Sequence, residues 1–259
     1  MPTTVEQWKV IAEEYERRWN YPHCLGAIDG KHVVIVCPDN SGSLYYNYKH
    51  QYSIVLLALV DAHYKFLGVD IGAYGRSSDA GVFANTNLGR SITPPNSLHF
   101  PDPQYIEGAR EFGKLPYVVL GDEAFPLQVN LMRPYPGKTA TLDQTVYNYR
   151  HSRARRTVEN AFGILASRWR VYHSKISVLP ETTTKIVQAT VVLHNMMQTE
   201  APFRVQQEDI LADGLIDLPN MGYRGTDEAI NIREKFTKYF KQVPLAWQNG
   251  YVQRGLTNY

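Results

Sequence analysis

Hydrophobic and polar positions alternate along this chain in blocks that can be assigned one after another. Residues 5–19 place Trp8, Ile11, Ala12 and Tyr15 on one helical face and Glu13, Glu14, Glu16, Arg17 and Arg18 elsewhere, which predicts an amphipathic helix stopped by Pro22. Residues 24–36 are apolar and extended, interrupted by Asp29-Gly30-Lys31-His32. Asp-Gly is a common hairpin signal, so either a turn falls here or one strand carries Asp29, with Gly30 allowing close backbone approach. A polar loop and Tyr45-Tyr46-Asn47-Tyr48-Lys49 follow, and then the unbroken apolar run 54–60 predicts a central strand buried on both faces. Residues 64–71 alternate as a third strand, and the short connection at 61–63 implies an antiparallel meander.

Ser77-Ser78-Asp79 is a helix-start signal before residues 80–88, where Asp79 also suits the positive end of a helix dipole. Residues 93–116 hold five prolines and predict a long surface crossover. Residues 115–122 form a second buried strand ending in Gly121-Asp122. An acid there marks the carboxyl edge of a sheet or caps the next segment. After a short edge strand at 131–135, a helix from about 153 to 171 puts Val158, Phe162, Leu165 and Trp169 in one stripe, with Glu159 one position off it. Residues 182–197 predict another helix with Ile186, Ala189, Thr190, Val192 and Leu193 inward. Residues 206–217 are acidic, 228–240 are amphipathic, and Trp247 and Val252 are expected to dock the tail.

Composition adds bounds. A chain of 259 residues with 44% apolar content supports one large or two small domains with a real core. A net charge of +2 makes any electrostatic signal a matter of clustering. Such a cluster exists: across residues 148–175, Arg150, Arg153, Arg155, Arg156, Arg168, Arg170 and Lys175 accompany a single acid, Glu159. On a helix, Glu159 could simply pair with Arg155 or Arg156, which contributes a few tenths of a kcal/mol. Cys24 and Cys37 do not make a disulfide framework, and His23, Cys24, His32 and Cys37 lack zinc-site spacing. No apolar run reaches the ~18 residues of a membrane span, and the amino terminus has no signal-peptide core. The chain reads as soluble and intracellular, with no membrane partner.

Three antiparallel strands, a helix, another strand and a carboxylate-bearing helix is the order of an RNase H-like core. The expected fold is therefore α/β, with a mixed five-stranded sheet (a three-stranded antiparallel meander plus parallel strands) flanked by helices. Asp29 falls on the first strand, Asp122 at the end of the later strand, and Glu159, 37 positions on, on the following helix. Hard oxygen ligands converging from separate elements suit two Mg2+ or Mn2+ ions in an in-line phosphoryl displacement. The flanking arginines would then neutralise phosphates in a salt-sensitive way.

Gly26-Ala27-Ile28-Asp29-Gly30-Lys31-His32-Val33, Tyr45-Tyr46-Asn47-Tyr48-Lys49, Ser78-Asp79-Ala80-Gly81-Val82-Phe83, Gly121-Asp122-Glu123-Ala124-Phe125-Pro126-Leu127 and the Arg153-to-Gly163 stretch resemble the DDE endonuclease domain of PIF/Harbinger transposases and the nucleases domesticated from them. The resemblance runs from about Trp8 to Asn195. It implies a metal-dependent DNA endonuclease or transposase with Asp29, Asp122 and Glu159 as catalytic and metal-binding triad, and Asp79 as a further metal ligand. Lys31, Arg150, Arg153, Arg155 and Arg156 are the expected nucleic-acid contacts. The expected organisation is a helix at 1–22, the endonuclease domain at 23–200 and a helical tail at 201–259 packed on it. Implied partners are DNA, a Myb- or SANT-like DNA-binding protein and further copies of the chain; the implied location is the nucleus, with the cytoplasm second. Such transposases usually carry a helix-turn-helix region ahead of this domain, so either that region is missing or DNA reading is delegated. The rival expectation is a domesticated scaffold that keeps the fold and binds DNA or protein without turnover.

Overall fold

In a computed structural model, all residues are described except 78, 94–97, 138–139, 203–214, 218–224, 249 and 251–259, and the side chains of Asp79 and Ala80 are likewise not described. The expectation for Val252 and most of the acidic 206–217 stretch therefore lies outside the described residues. Helix α1 (Val5–Trp19) starts on Thr4, whose hydroxyl accepts the Gln7 N–H at 3.3 Å, and ends on Asn20 in the left-handed region, φ 56°. Strand β1 (Cys24–Val34) runs straight through Asp29-Gly30, so the hairpin alternative is excluded. It pairs antiparallel with β2 (Ser53–Val60), Asp29 opposite Ala58, and β2 pairs antiparallel with β3 (Phe66–Tyr74).

Every residue of β2 is buried because both faces of the sheet are covered. Ile54, Leu56, Ala58 and Val60 join one core with Ala27, Val33, Val158, Phe162 and Val187; Val55, Leu57 and Leu59 join the opposite core with Trp8, Ile28, Phe83 and Val119. This alternation has a consequence for chemistry. Asp29 and Lys31 share the face of Ala27 and Val33, which is the face covered by the long helix bearing Glu159.

The predicted helix at 80–88 is two helices, α2 (Asp79–Asn85) and α3 (Asn87–Ile92). Thr86 breaks it, its backbone extended and its hydroxyl accepting the Gly89 N–H at 3.2 Å. The crossover leads to β4 (Val118–Leu120), parallel to β1, and β5 (Leu131–Met132), parallel to β4. Helix α4 (Leu142–Arg168) begins eleven residues earlier than expected, because Thr141 and Gln144 form a reciprocal capping box. Helix α5 (Pro180–Glu200) turns Thr183, Val187, Thr190, Val191, His194 and Gln198 inward; of the predicted face Thr190 is buried and Ile186 partly so, whereas Ala189, Val192 and Leu193 are exposed. Edge backbone decides this. Asn195 bonds both the N–H and the carbonyl of Phe66, at 2.9 and 2.8 Å, and His194 reaches the Tyr64 carbonyl at 2.8 Å.

A sixth strand, β6 (Leu215–Asp217), pairs antiparallel with the second half of β1, giving the order β3-β2-β1-β4-β5 with β6 on β1 beyond β4. Helix α6 (Asp227–Gln242) packs on α4 through Tyr21, Tyr147, Phe236 and Phe240. The mixed α/β architecture is that of an RNase H-like fold with one strand more than expected. Among the described residues no helix is long and apolar enough to cross a membrane.

Candidate active site

Asp29 is 5% exposed in the middle of β1. Its Oδ2 lies 3.3 Å from the Lys31 Nζ, and Lys31 also bonds Asp217 on β6 and sits over the Phe162 ring. Lys31 and Asp217 are register partners in the sheet, so the pairing of β6 with β1 brings that acid to the site. Burial opposes the charge on Lys31, but Asp29 and Asp217 together hold its pKa well above the ordinary value.

Asp122 follows β4, beside the Ala27–Leu120 register pair. Its Oδ1 accepts the Ala124 N–H at 2.8 Å, an Asx turn at the sheet edge that leads to β5, with no helix after it to cap. Burial raises the Asp122 pKa, and the neighbouring Asp29 charge raises it further, against Arg155, the Ala124 N–H and Lys31. Behind Asp122, His151 on α4 donates from Nε2 to the Gly121 carbonyl at 2.7 Å. Burial keeps that ring neutral, with a pKa of about 3. The histidine therefore anchors the residue before the acid to α4.

Glu159 is bonded to Arg155 one turn earlier on α4. That is the ordinary helix pair the sequence allowed, but the setting is not ordinary. The Arg155 side chain is only 18% exposed. Burial disfavours its charge, yet Asp29, Glu159 and Asp122, in that order, hold its pKa up. The guanidinium thus bonds one carboxylate, on its own helix, and its charge is favoured by two more, from a strand and a loop. Asp79 opens α2 as a first-turn acid, and its side chain lies outside the described residues.

The basic residues do not share one surface. Arg156 is exposed. Arg153 lies with its guanidinium 5.1 Å from the Trp247 ring centroid, so Trp247 does meet α4, though it remains 45% exposed. Arg150 is 2% exposed, bonded to Gln248 and stacked on Phe240, an interior position that presents no charge to a phosphate. Lys31, the other expected nucleic-acid contact on a buried position, is 6% exposed. Asp217 and His151 were not singled out by sequence: each enters through a long-range pairing without local signature.

The donor set of Asp29, Asp122 and Glu159 is all hard oxygen, which suits Mg2+ or Mn2+. The charge imbalance that raises Asp122 is of the kind a cation relieves. In this arrangement Arg155 and Lys31 supply that compensation, and among the described residues no three acidic, His or Cys side chains are drawn into a metal-holding group.

A family model described as DDE superfamily endonuclease matches residues 28–195, from the residue before Asp29 to the last turns of α5. The chain belongs to the DDE superfamily endonucleases. This is the family expected from the motifs, and its members generally use divalent metals. Among curated relatives, "Protein ALP1-like" of Arabidopsis thaliana is 30% identical over 72% of this chain and 46% of its own length. "Putative nuclease HARBI1" of Homo sapiens is 26% identical over 73% of the chain and 50% of its own length. "Antagonist of like heterochromatin protein 1" of Arabidopsis thaliana is 24% identical over 72% of the chain and 47% of its own length. The chain spans about half the length of these curated relatives. No solved structure matches it.

Proposed function

We propose that this DDE superfamily member is a divalent-metal-dependent DNA endonuclease or transposase-like protein, with Asp29, Asp122 and Glu159 as its triad. The observation that supports this reading is the fold around the three acids: Asp29 sits in β1, Asp122 directly follows β4, which pairs parallel with β1, and Glu159 is on α4, which covers the Asp29 face of the sheet. Asp29 from β1, Asp122 after β4 and Glu159 from α4 would hold two Mg2+ or Mn2+ ions, which supply activation of a water or 3′-hydroxyl and neutralisation of the leaving oxygen. The chain's own residues do the rest. Lys31, fixed by Asp29 and Asp217, keeps a positive charge beside the acids; His151 fixes the Gly121 carbonyl and so the Asp122 turn; Arg155 stays on Glu159 as a counter-charge, and the exposed Arg156 faces the phosphates. A Myb- or SANT-like DNA-binding partner, self-association and a nuclear location, with the cytoplasm second, belong to the same proposal.

A second reading has an observation in its favour. Glu159 and Asp29 are already paired with Arg155 and Lys31, which is how a silent scaffold would neutralise inherited acids. One relative's name, an antagonist of a heterochromatin protein, fits regulation rather than cutting.

Calorimetric titration of Mn2+ into wild type, Asp29→Asn and Glu159→Gln separates the two. Saturable binding that both substitutions abolish supports the nuclease. A folded wild type that binds no Mn2+ with or without DNA leaves the scaffold.

A further inference from the structure

Residues 45–52 form a loop whose outer rings fill no core. Tyr46 and Tyr48 are 40% and 46% exposed, and Tyr74, at the adjoining end of β3, is 45% exposed. Lys49, His50 and Arg76 are exposed among them. The Lys49 Nζ lies 5.7 Å from the Tyr48 ring centroid. Exposed aromatic faces interleaved with cations are what an unpaired nucleotide requires, a π-face for the base and positive charge for its phosphate.

The loop is fixed by a buried polar relay. Asn47, 3% exposed, accepts the N–H groups of Lys49 and Gln51 at 3.0 and 3.1 Å and donates to the Ser53 hydroxyl at 3.0 Å. Ser53 Oγ in turn bonds His32 Nδ1 at 2.9 Å. At the end of β3, Gly75 approaches the Tyr45 carbonyl and Ser53 so closely that a Cβ there would collide with both. Tyr46 stands edge-to-face on Tyr52 and Tyr74 on Tyr45, each pair 5.2 Å between centroids. The rings are thus set before any ligand arrives, which lowers the ordering cost of binding.

Their position ties them to the acids. The relay ends on His32 in β1, the strand that carries Asp29, and Ser53 is the register partner of Val34 on that same strand. His32 faces the opposite side of the sheet from Asp29, while its neighbour Lys31 shares the Asp29 face. Asp217 is the acid that shares Lys31 with Asp29.

We infer that the 45–52 loop, with Tyr74, is a stacking platform for unpaired bases of a nucleic-acid strand whose phosphates reach the Asp29–Asp122–Glu159 site. The inference rests on the nuclease reading and adds that the strand is held unpaired on this flank of the site.

Fluorescence anisotropy with a labelled single-stranded DNA of about 12 nucleotides, within the span such surfaces bind, tests it against the same sequence as duplex, in Ca2+ to hold the complex without turnover. The proteins are wild type, Tyr48→Ala, Tyr48→Phe, Tyr46→Ala with Tyr48→Ala, and Arg155→Ala with Arg156→Ala. Tyr48→Ala is expected to weaken single-strand binding roughly ten-fold, as loss of one base–aromatic stack does, and the double tyrosine variant to weaken it further. Tyr48→Phe keeps the π-face and should bind as wild type does, and duplex binding should be unmoved by all three. Melting curves should coincide, because the rings are exposed. Tyrosine variants that bind the single strand normally, while the arginine variant loses both ligands, would overturn the platform and leave the nuclease reading standing. Equal weakening on single strand and duplex would also overturn it, marking the loop as a general phosphate surface. A wild type that binds neither DNA removes both ideas.

Discussion

At the scale of single residues, Arg155 is the most informative side chain. It is bonded to Glu159, and the charges of Asp29 and Asp122 also act to hold its own charge, as they would act on a divalent cation. Arg155→Gln should therefore lower the melting temperature in chelator and enlarge the stabilisation produced by Mn2+ relative to wild type. Thermal melts with and without the ion check this; identical Mn2+ shifts in the two proteins would remove Arg155 as an internal counter-ion. Asp122→Asn should do the reverse and shrink the Mn2+ shift, since it removes a hard oxygen charge whose protonation burial and Asp29 already favour. The elements carrying Asp29, Asp122 and Glu159 were legible from sequence because each acid stands at a readable place: inside a strand, after a strand, beside a helix stripe. Asp217 and His151 were not, because nothing near them in the chain signals Lys31 or the Gly121 carbonyl.

At the scale of elements, α4 carries the site and the packing that holds it. Phe162 is fully buried, lies 5.9 Å from the Phe66 ring and has Lys31 over its face. Phe162→Ala should cost about 3–5 kcal/mol by denaturant unfolding, the range for a buried Phe. Thr141→Ala, at the solvent end of the same helix, should cost about 1 kcal/mol through the lost cap and leave Mn2+ binding unchanged. The contrast tests whether the site depends on the packed half of α4 rather than on its start. The stripe from Val158 to Leu165 was readable by its period. The first eleven residues of α4 were not, because they contain few apolar positions and their signal is the Thr141–Gln144 box. The inward face of α5 was misread for a related reason. Apolar count favoured Val192 and Leu193, but the backbone of β3 at its edge needs donors and acceptors, and Asn195 and His194 supply them.

At the scale of the whole molecule, buried histidines make stability depend on pH. His151 and His194 are held neutral mainly by burial, at about 3 and about 4 against an ordinary 6.5. The unfolded chain takes up protons below about pH 6.5 that the folded chain refuses. Their contribution is thus complete above that pH and is lost as pH falls toward 4, with a slope of up to about 1.4 kcal/mol per pH unit for each histidine. Asp122, raised in the fold, works in the opposite sense on acidification and offsets part of the loss. Urea unfolding from pH 7 to pH 4.5 should show the decline, and His194→Gln should flatten it; parallel curves would exclude His194 as a source. By itself the sequence determined the strand and helix order, both-sided burial of β2, the DDE family and the elements bearing its acids, since these rest on local period and short motifs. Tertiary structure alone decided that Arg155 pairs with Glu159 in a largely buried setting, that Arg150 turns inward beneath α6, that β6 delivers Asp217 to Lys31, and that Asn47 and Ser53 tie the tyrosine loop to His32 in β1. Those facts depend on which distant backbones pair, and the energy of such pairings is not written in any single stretch of chain.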